Sequence, residues 1–291
     1  MKPSAFELIR PRSLEEALHA LREHQHRDVK LLSGGQSLIP MMNFRVAQPE
    51  VLIDLGAVAG LDAIEVRDGQ LCIGAMSRHA DVKSSAIVIQ TAPLVHEAYE
   101  HVAHATIRNR GTLGGNLSHA DPASEMPVVM LTLNATLVLR NAEGERTVAA
   151  ADFFYAPFTT AAEPDEILVE VRIPCATADA RYAFEEVSLR KGDFAMSAVA
   201  VSLSMRDGVC TLAAIGVGGV SSVPLRAADA EAMLQDRTLD AETLAQAAQA
   251  AVDAIEFNAT ATISADYRRD LTRTLIERAL SRAAFQQPQI Q

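Results

Sequence analysis

The sequence predicts an α+β protein in two domains joined by a short polar linker. Three observations carry this. The chain has 291 residues, enough for two cores of ordinary size. Up to Pro174, short apolar runs bounded by Gly, Asn, Asp and Pro mix with helical patterns. Beyond the small, polar stretch "CATADAR" (175–181), three strand-like runs come first and three helical ones follow. That grouping belongs to α+β architectures rather than to alternating β-α units.

Taken in order, "SLEEALHALREH" (13–24) reads as a helix. Ser13 is its N-cap, Glu16 completes a capping box, and Leu14, Leu18 and Leu21 recur at helical spacing. "VKLLSGGQSL" is a short buried strand running into glycines, and "PEVLIDLG" and "QLCIGAM" are further short strands. "APLVHEAYEHVAH" (92–104) reads as one helix. In residues 127–154 a buried helical run leads to a strand, a turn at Asn141–Gly144 and a second strand. "EILVEVRIP" alternates and stops at Pro174. After the linker, the strands are "RYAFEEVSLR", "SAVAVSLSMRDG" and "VCTLAAIGVGG". The helices are "AADAEAMLQ", "DAETLAQAAQAAVDAI" and "ADYRRDLTRTLIERALSRAA", and a Gln-rich tail is expected to fray.

Composition narrows the function. Hydrophobic residues make up 49% and charged residues 22%, with a net charge of −11 and no block of Lys or Arg. Neither nucleic acid nor an anionic membrane surface is an expected partner. No run is apolar enough to serve as a signal peptide or to span a bilayer, so a cytoplasmic protein is expected. Cys72, Cys175 and Cys210 lie too far apart in sequence for a local zinc or iron–sulfur motif.

Two segments share a pattern: "SGGQS" (33–37) and "TLGGN" (112–116) each set a Gly–Gly pair beside hydroxyl or amide side chains. Glycine admits positive φ and lets a ligand approach the main chain. Consecutive backbone N–H groups form anion-binding concavities without Lys or Arg. Either pair alone reads equally as a tight turn; the two together favour a phosphate-holding site. The P-loop pattern is absent. "IGVGG" (215–219) lacks the third glycine of a dinucleotide fingerprint and reads as the end of a strand.

The set "SGGQSLIPMMNFRVAQPEVLIDL", "IRNRGTLGGNLSHADPASEMP" and "SLRKGDFAMSAVAVSL" resembles the FAD-binding medium subunit of the molybdenum hydroxylases. This is the carbon monoxide dehydrogenase and xanthine dehydrogenase family. The resemblance covers nearly the whole chain, and three motifs in order make it specific. It implies an FAD-binding domain of the p-cresol methylhydroxylase type in two α+β lobes (1–176). A small α+β domain of the CO dehydrogenase flavoprotein C-terminal type (177–286) and a tail (287–291) would follow. It further implies that Gly34, Gly35, Gln36 and Ser37, with Thr112, Gly114 and Gly115, wrap the FAD pyrophosphate, and that Leu32, Ser33 and Leu38 are among the cofactor-binding residues. Asn116, Asp121 and Glu125 would lie along the ribityl chain and flavin; Glu125 stands where relatives often carry Asp. Lys191, Asp193 and Phe194 match positions near the isoalloxazine ring. Ser33 replaces a more usual Ala.

Read from the residues alone, Asp121 before Pro122 also fits a simple turn, Lys191 and Asp193 fit hairpin charges, and Phe194 fits a core position. His96, Glu97, Glu100, His101 and His104 give no zincin spacing, since His96 and His101 are five apart, and they read as a solvated or interface face. His79 and His119 are of interest because related flavin folds attach FAD through histidine; the resemblance implies a non-covalent flavin.

The function implied is electron transfer. A large molybdopterin-binding subunit would oxidise the substrate and a small subunit would relay electrons through 2Fe–2S clusters. The FAD of this chain would pass them to an external acceptor, in a dimer of heterotrimers. No catalytic residue and no metal ligand is expected in this chain. The alternative is a self-contained flavin oxidase or dehydrogenase of the same superfamily, which would need its own substrate pocket and base. A scaffold that has lost FAD is disfavoured by the intact glycine segments.

Overall fold

The structure, a computed structural model, describes residues 2–260 and 263–285; the expected tail at 287–291 lies outside the described residues. Helix and sheet are mixed, as the α+β reading requires. The first lobe opens with strand β1 (Glu7–Ile9), helix α1 (Leu14–Glu23), strand β2 (Val29–Leu32), helix α2 (Leu38–Asn43) and strand β3 (Val51–Asp54). Its three strands are parallel in the order β1-β3-β2. Ser13 caps α1 by accepting a hydrogen bond from the Glu16 N–H at 3.1 Å, while the Glu16 carboxylate accepts from the Arg12 N–H at 2.7 Å. The capping box therefore closes one residue earlier than its usual form.

The second lobe contains β4 (Ile64–Arg67), β5 (Gln70–Gly74), then helices α3 (His79–Ser84), α4 (Ala86–Thr91), α5 (Pro93–Ala98), α6 (Ala105–Arg108), α7 (Leu113–His119) and α8 (Glu125–Thr132). Strands β6 (Thr136–Arg140), β7 (Glu145–Ala149), the short hairpin β8 (Phe154–Ala156) and β9 (Thr159–Thr160), and β10 (Ile167–Pro174) complete it. An antiparallel sheet forms in the order β4-β5-β10-β6-β7. A bulge in β10 between Leu168 and Glu170 reverses its alternation. Ile167 and Val169 thus pack with Leu18, Leu21 and Ile53 of the first lobe, while Val171 and Ile173 pack under the helices of the second. One strand serves two cores.

The expected single helix over 92–104 is not formed. Helix α5 starts at Pro93, which presets the first turn, and stops at Ala98. Tyr99 is fully buried and Ala103 takes φ +46, which no right-handed helix continues.

The remaining residues form β11 (Ala180–Ser188), β12 (Ala195–Arg206), β13 (Val209–Gly218), β14 (Leu225–Arg226), helix α9 (Ala228–Leu234), β15 (Arg237–Thr238), α10 (Ala241–Asp253) and α11 (Ala265–Phe285). The sheet runs β11-β12-β13-β14, with β15 also on β13. Strand alternation gives β12 two faces. Val199, Val201 and Leu203 pack on α9, α10 and α11, while Ala198 and Ala200 turn towards α8. On β13, a Cβ at Gly216 or Gly218 would overlap Thr132 or Val128 of α8. The small face of the sheet lets α8 approach closely, and every residue of α8 is buried.

Candidate functional site

The two glycine segments meet. The hydroxyl oxygens of Ser33 and Thr112 lie 2.5 Å apart, and Ser33 Oγ is 3.0 Å from Met76 Sδ. Gly34 lies against the main chain of Arg110 and Gly111 so closely that no Cβ fits. Gly114 lies equally close to Ala75. Thr112 caps α7, accepting from the Gly115 N–H at 3.1 Å. A stretch that reads as bare glycine loop is therefore the first turn of a helix.

The N–H groups of the two segments have different fates. In the second, Leu113 donates to Ser77 O at 3.0 Å, Gly114 to Ala75 O at 2.8 Å and Asn116 to Thr112 O at 3.0 Å. These donors are engaged. In the first, the N–H groups of Gly34, Gly35, Gln36 and Ser37 donate to no protein acceptor among the described residues. They lie outside any helix or strand, and Gly35 takes φ +72. The Gln36 amide folds back onto Gly34 O at 3.1 Å. Residues 31–38 are all half-buried. A half-buried loop with four consecutive N–H groups that no protein acceptor engages has the form of an anion cradle, and that donor set suits a diphosphate. The second segment buttresses that loop.

Beyond the cradle, hydrogen bonds tie Asn116 and Asp121 to the loop that leads into α8. Asn116 Oδ1 accepts from Ser124 Oγ at 2.9 Å, which fastens the 120–124 loop to α7. Asp121 Oδ1 accepts from the Ala123 N–H at 2.9 Å, the turn-forming bond that an Asp before Pro favours. Pro122 O accepts from the Gly219 N–H at 2.9 Å, so the C-terminal domain holds the same loop. Glu125, at the start of α8, is only 5% exposed. Burial pushes its carboxyl up to about 7, and Asp121 adds to the shift.

The hairpin between β11 and β12 carries Lys191, Asp193 and Phe194. Its turn leans on the second lobe: a Cβ on Gly192, at φ +86, would stand 2.9 Å from the His104 ring and 3.0 Å from Ala103 O. Phe194 is 64% exposed and Leu189 77% exposed. Phe194 is thus not the core residue that its type suggests; the hairpin presents it at the surface.

Three further features shape the surroundings of the site. Arg108 donates to Val102 O at 2.8 Å and Ala103 O at 2.7 Å, which shapes the loop under the hairpin. His79 lies beneath Gly111 and shares a 3.1 Å hydrogen bond with the buried Tyr99 hydroxyl. Burial, with Arg108 nearby, lowers the His79 imidazole to about 4. Glu186 faces the second lobe, one of its carboxylate oxygens buried without a hydrogen-bond partner. Burial, reinforced by Glu125, pushes it up to about 8. The available signal was alternation: Glu186 shares a strand face with Tyr182 and Phe184, which pack into the second-lobe core.

The histidine cluster has other partners. His96 Nδ1 is 2.9 Å from Lys83 O, the His101 ring packs on Phe184 and the His119 ring on Phe158. Among the described residues, no group of His, Cys, Asp and Glu converges as metal ligands, and no helix is long and apolar enough to cross a membrane.

Comparisons with known proteins show the family. The family described as the FAD binding domain in molybdopterin dehydrogenase matches residues 4–176, and the CO dehydrogenase flavoprotein C-terminal domain matches residues 182–283. The chain is 39% identical to the 6-hydroxypseudooxynicotine dehydrogenase complex subunit alpha of Paenarthrobacter nicotinovorans, over 97% of this chain and 96% of that one. It is 36% identical to the carbon monoxide dehydrogenase medium chain of Afipia carboxidovorans, over 97% and 98%. A solved chain of carbon monoxide dehydrogenase from Hydrogenophaga pseudoflava, lacking the Mo-pyranopterin moiety of the molybdenum cofactor, superposes with a TM-score of 0.94. It is 36% identical, over 97% of this chain and 98% of that one. The chain belongs to the FAD-binding medium subunits of the molybdenum hydroxylases, the oxidoreductase family of the carbon monoxide and xanthine dehydrogenases.

Proposed function

We propose that this chain is the electron-transfer flavoprotein of a heterotrimeric molybdopterin-dependent hydroxylase. Its two domains, 1–176 and 177–286, would enclose a non-covalent FAD between them. The observation that carries the reading is the row of unengaged N–H donors from Gly34 to Ser37, backed by the Thr112 helix start.

The roles follow from the chemistry of each group. Gly34, Gly35, Gln36 and Ser37 bind the pyrophosphate by main-chain donors, which an acidic chain needs in place of Lys or Arg. Leu32 and Leu38 flank that loop. Thr112, Gly114 and Gly115 hold it in shape, and Asn116 and Asp121 order the stretch beside the ribityl chain. Glu125 offers a carboxyl group to the ring, Lys191 and Asp193 position the hairpin, and Phe194 lies at the exposed edge. Bound FAD supplies a two-electron carrier that one-electron donors can fill in steps. The chain itself contributes binding, exclusion of water at the buried end and an open edge for exchange.

The relatives are named as a medium chain and a complex subunit, which supports partner subunits here: a large molybdopterin-binding chain and a small chain with 2Fe–2S clusters, in a dimer of heterotrimers. The exposed apolar side chains Ile39, Phe44 and Val46 beside the cradle suit such a contact. The absence of a membrane-crossing helix among the described residues is compatible with a cytoplasmic complex.

The test is the absorption spectrum of the purified chain before and after acid precipitation. Flavin bands released to the supernatant support the reading, as does recovery of molybdenum and iron in a pull-down. Flavin retained in the pellet, or substrate turnover by this chain alone, overturns it.

A further inference from the structure

The cradle is supported from below by residues outside both glycine segments. Residues 75–79 run beside 111–114. Gly114 donates to Ala75 O at 2.8 Å, Leu113 to Ser77 O at 3.0 Å, and His79 donates its N–H to Gly111 O at 2.9 Å. Arg78 pairs with Thr112 in the same ladder. His79, the first residue of α3, is 4% exposed. Its Nδ1 lies 3.1 Å from the hydroxyl oxygen of Tyr99, which is fully buried at the end of α5.

The opposite edge of the ring faces the cradle. A Cβ on Gly111 would stand 2.9 Å from His79 Cδ2 and 3.2 Å from Nε2. A Cβ on Gly34 would in turn stand 2.5 Å from Gly111 Cα and 2.3 Å from Arg110 O. Tyr99, His79, Gly111 and Gly34 thus form a stack without slack. It ends at the first of the four unengaged N–H groups.

A buried hydrogen bond adds only modestly to stability, yet it fixes direction. With Nδ1 held on Tyr99, the flat ring presents one edge to Gly111. Burial lowers the imidazole to about 4, with Arg108 nearby, and pushes the Tyr99 hydroxyl up. Both partners are therefore neutral near pH 7 and need no counter-ion. Close packing passes a displacement of the ring on to Gly111 and Gly34 instead of absorbing it. We propose that His79, oriented by Tyr99, is a positioning residue that sets the cradle donors for the diphosphate of FAD. It acts through Gly111 and Gly34 and does not itself touch the ligand. The inference rests on the reading of residues 34–37 as the diphosphate site.

The experiment measures ADP and FAD binding to the flavin-stripped full chain, for wild type, His79→Ala and Val82→Ala. Val82 is fully buried about one turn further along α3. Its truncation weakens the same helix, as urea melts will show, but leaves the histidine ring in place. His79→Ala is expected to lose about tenfold in affinity for both ligands alike, because they share the diphosphate. Val82→Ala is expected to keep both affinities. Unchanged binding in His79→Ala overturns the inference, and so does an equal loss in Val82→Ala. A loss for FAD alone also overturns it, since the effect would then lie on the flavin. Tyr99→Phe removes only the hydroxyl and serves even if His79→Ala does not fold. Phosphorus-31 NMR of its bound FAD is expected to show displaced diphosphate resonances with unchanged flavin absorption bands. Resonances identical to those of wild type overturn the inference. Wild type that binds neither ligand overturns the cradle reading itself, and the inference with it.

Discussion

Ser33 and Thr112 stand 79 residues apart in the chain and 2.5 Å apart through their hydroxyl oxygens. That contact joins the loop after β2 to the N-terminus of α7, and so joins the two lobes at the cradle. Thr112 also caps α7. Thr112→Val removes both bonds and keeps the shape. It is expected to cost about 1–2 kcal/mol of stability and to weaken FAD binding about tenfold, roughly 1.4 kcal/mol. Ser33→Ala removes only the shared bond and is expected to cost under about 1 kcal/mol. Urea melts and flavin-fluorescence quenching measure both; equal effects from the two variants contradict the assignment of the cap.

Gly115 tests the cradle by shape. A Cβ there would stand 2.9 Å from Thr112 Oγ1 and 3.1 Å from Ser33 Cβ. Gly115→Val adds two more carbons in that space and pushes the segments apart. The variant is expected to purify without flavin while keeping its far-ultraviolet circular dichroism. Full flavin occupancy in a folded variant contradicts the arrangement.

His79 makes stability fall on the acid side. Its imidazole titrates at about 4 in the folded chain and near 6.5 when unfolded. Between those values the unfolded state binds the extra proton, so stability drops as pH falls from 6.5 towards 4 and levels off below. The loss amounts to about 3 kcal/mol at the low end. His79→Gln is expected to be less stable than wild type at pH 7 by about 1 kcal/mol, through the altered bond to Tyr99, and to show a shallower decline by pH 4.5. Parallel declines in the two proteins rule out His79 as the source.

Arg282 tests the link between domains. From α11 it donates to Phe184 O and to Glu185, and it reaches Glu97 on α5. Arg278 still neutralises Glu185 when Arg282 is removed. Because Arg282 is half exposed, Arg282→Ala is expected to cost only about 1–2 kcal/mol. Proteolysis within residues 175–180 is expected to accelerate several-fold. Unchanged cleavage and unchanged stability indicate that the other contacts, among them the packing of α8 and of Phe184, join the domains without it.

The parts of the fold that could be read from sequence are those fixed by local rules. Ser13 announces α1, and the β12 alternation of Ala and Val separates the two faces of its sheet. The glycine pairs point to one site because only glycine tolerates such approaches. What was hidden depends on contacts distant in sequence. The engaged N–H groups of Leu113 and Gly114 find acceptors at Ser77 and Ala75, which no local pattern announces. Helix α7 forms on two glycines of poor propensity because its cap and those acceptors hold it. The break after α5 shows in the backbone, where Glu100 and His101 donate to Glu97 O and Ala98 O and Ala103 takes φ +46. Glu186, beside Glu185, reads as one more charge on a strand until the sheet acquires a second packed face.

The placement of α8 between two sheets has a consequence for how such proteins are recombined. One end of this helix starts the stretch assigned to the flavin, and its other residues fill a slot cut by Ala198, Ala200, Gly216 and Gly218. A swap that replaces only the first 176 residues with those of a relative puts a foreign helix into that slot, where one extra methyl has nowhere to go. Functional hybrids must therefore exchange the helix and the small-residue face together. The unit of inheritance here is the seam rather than either domain.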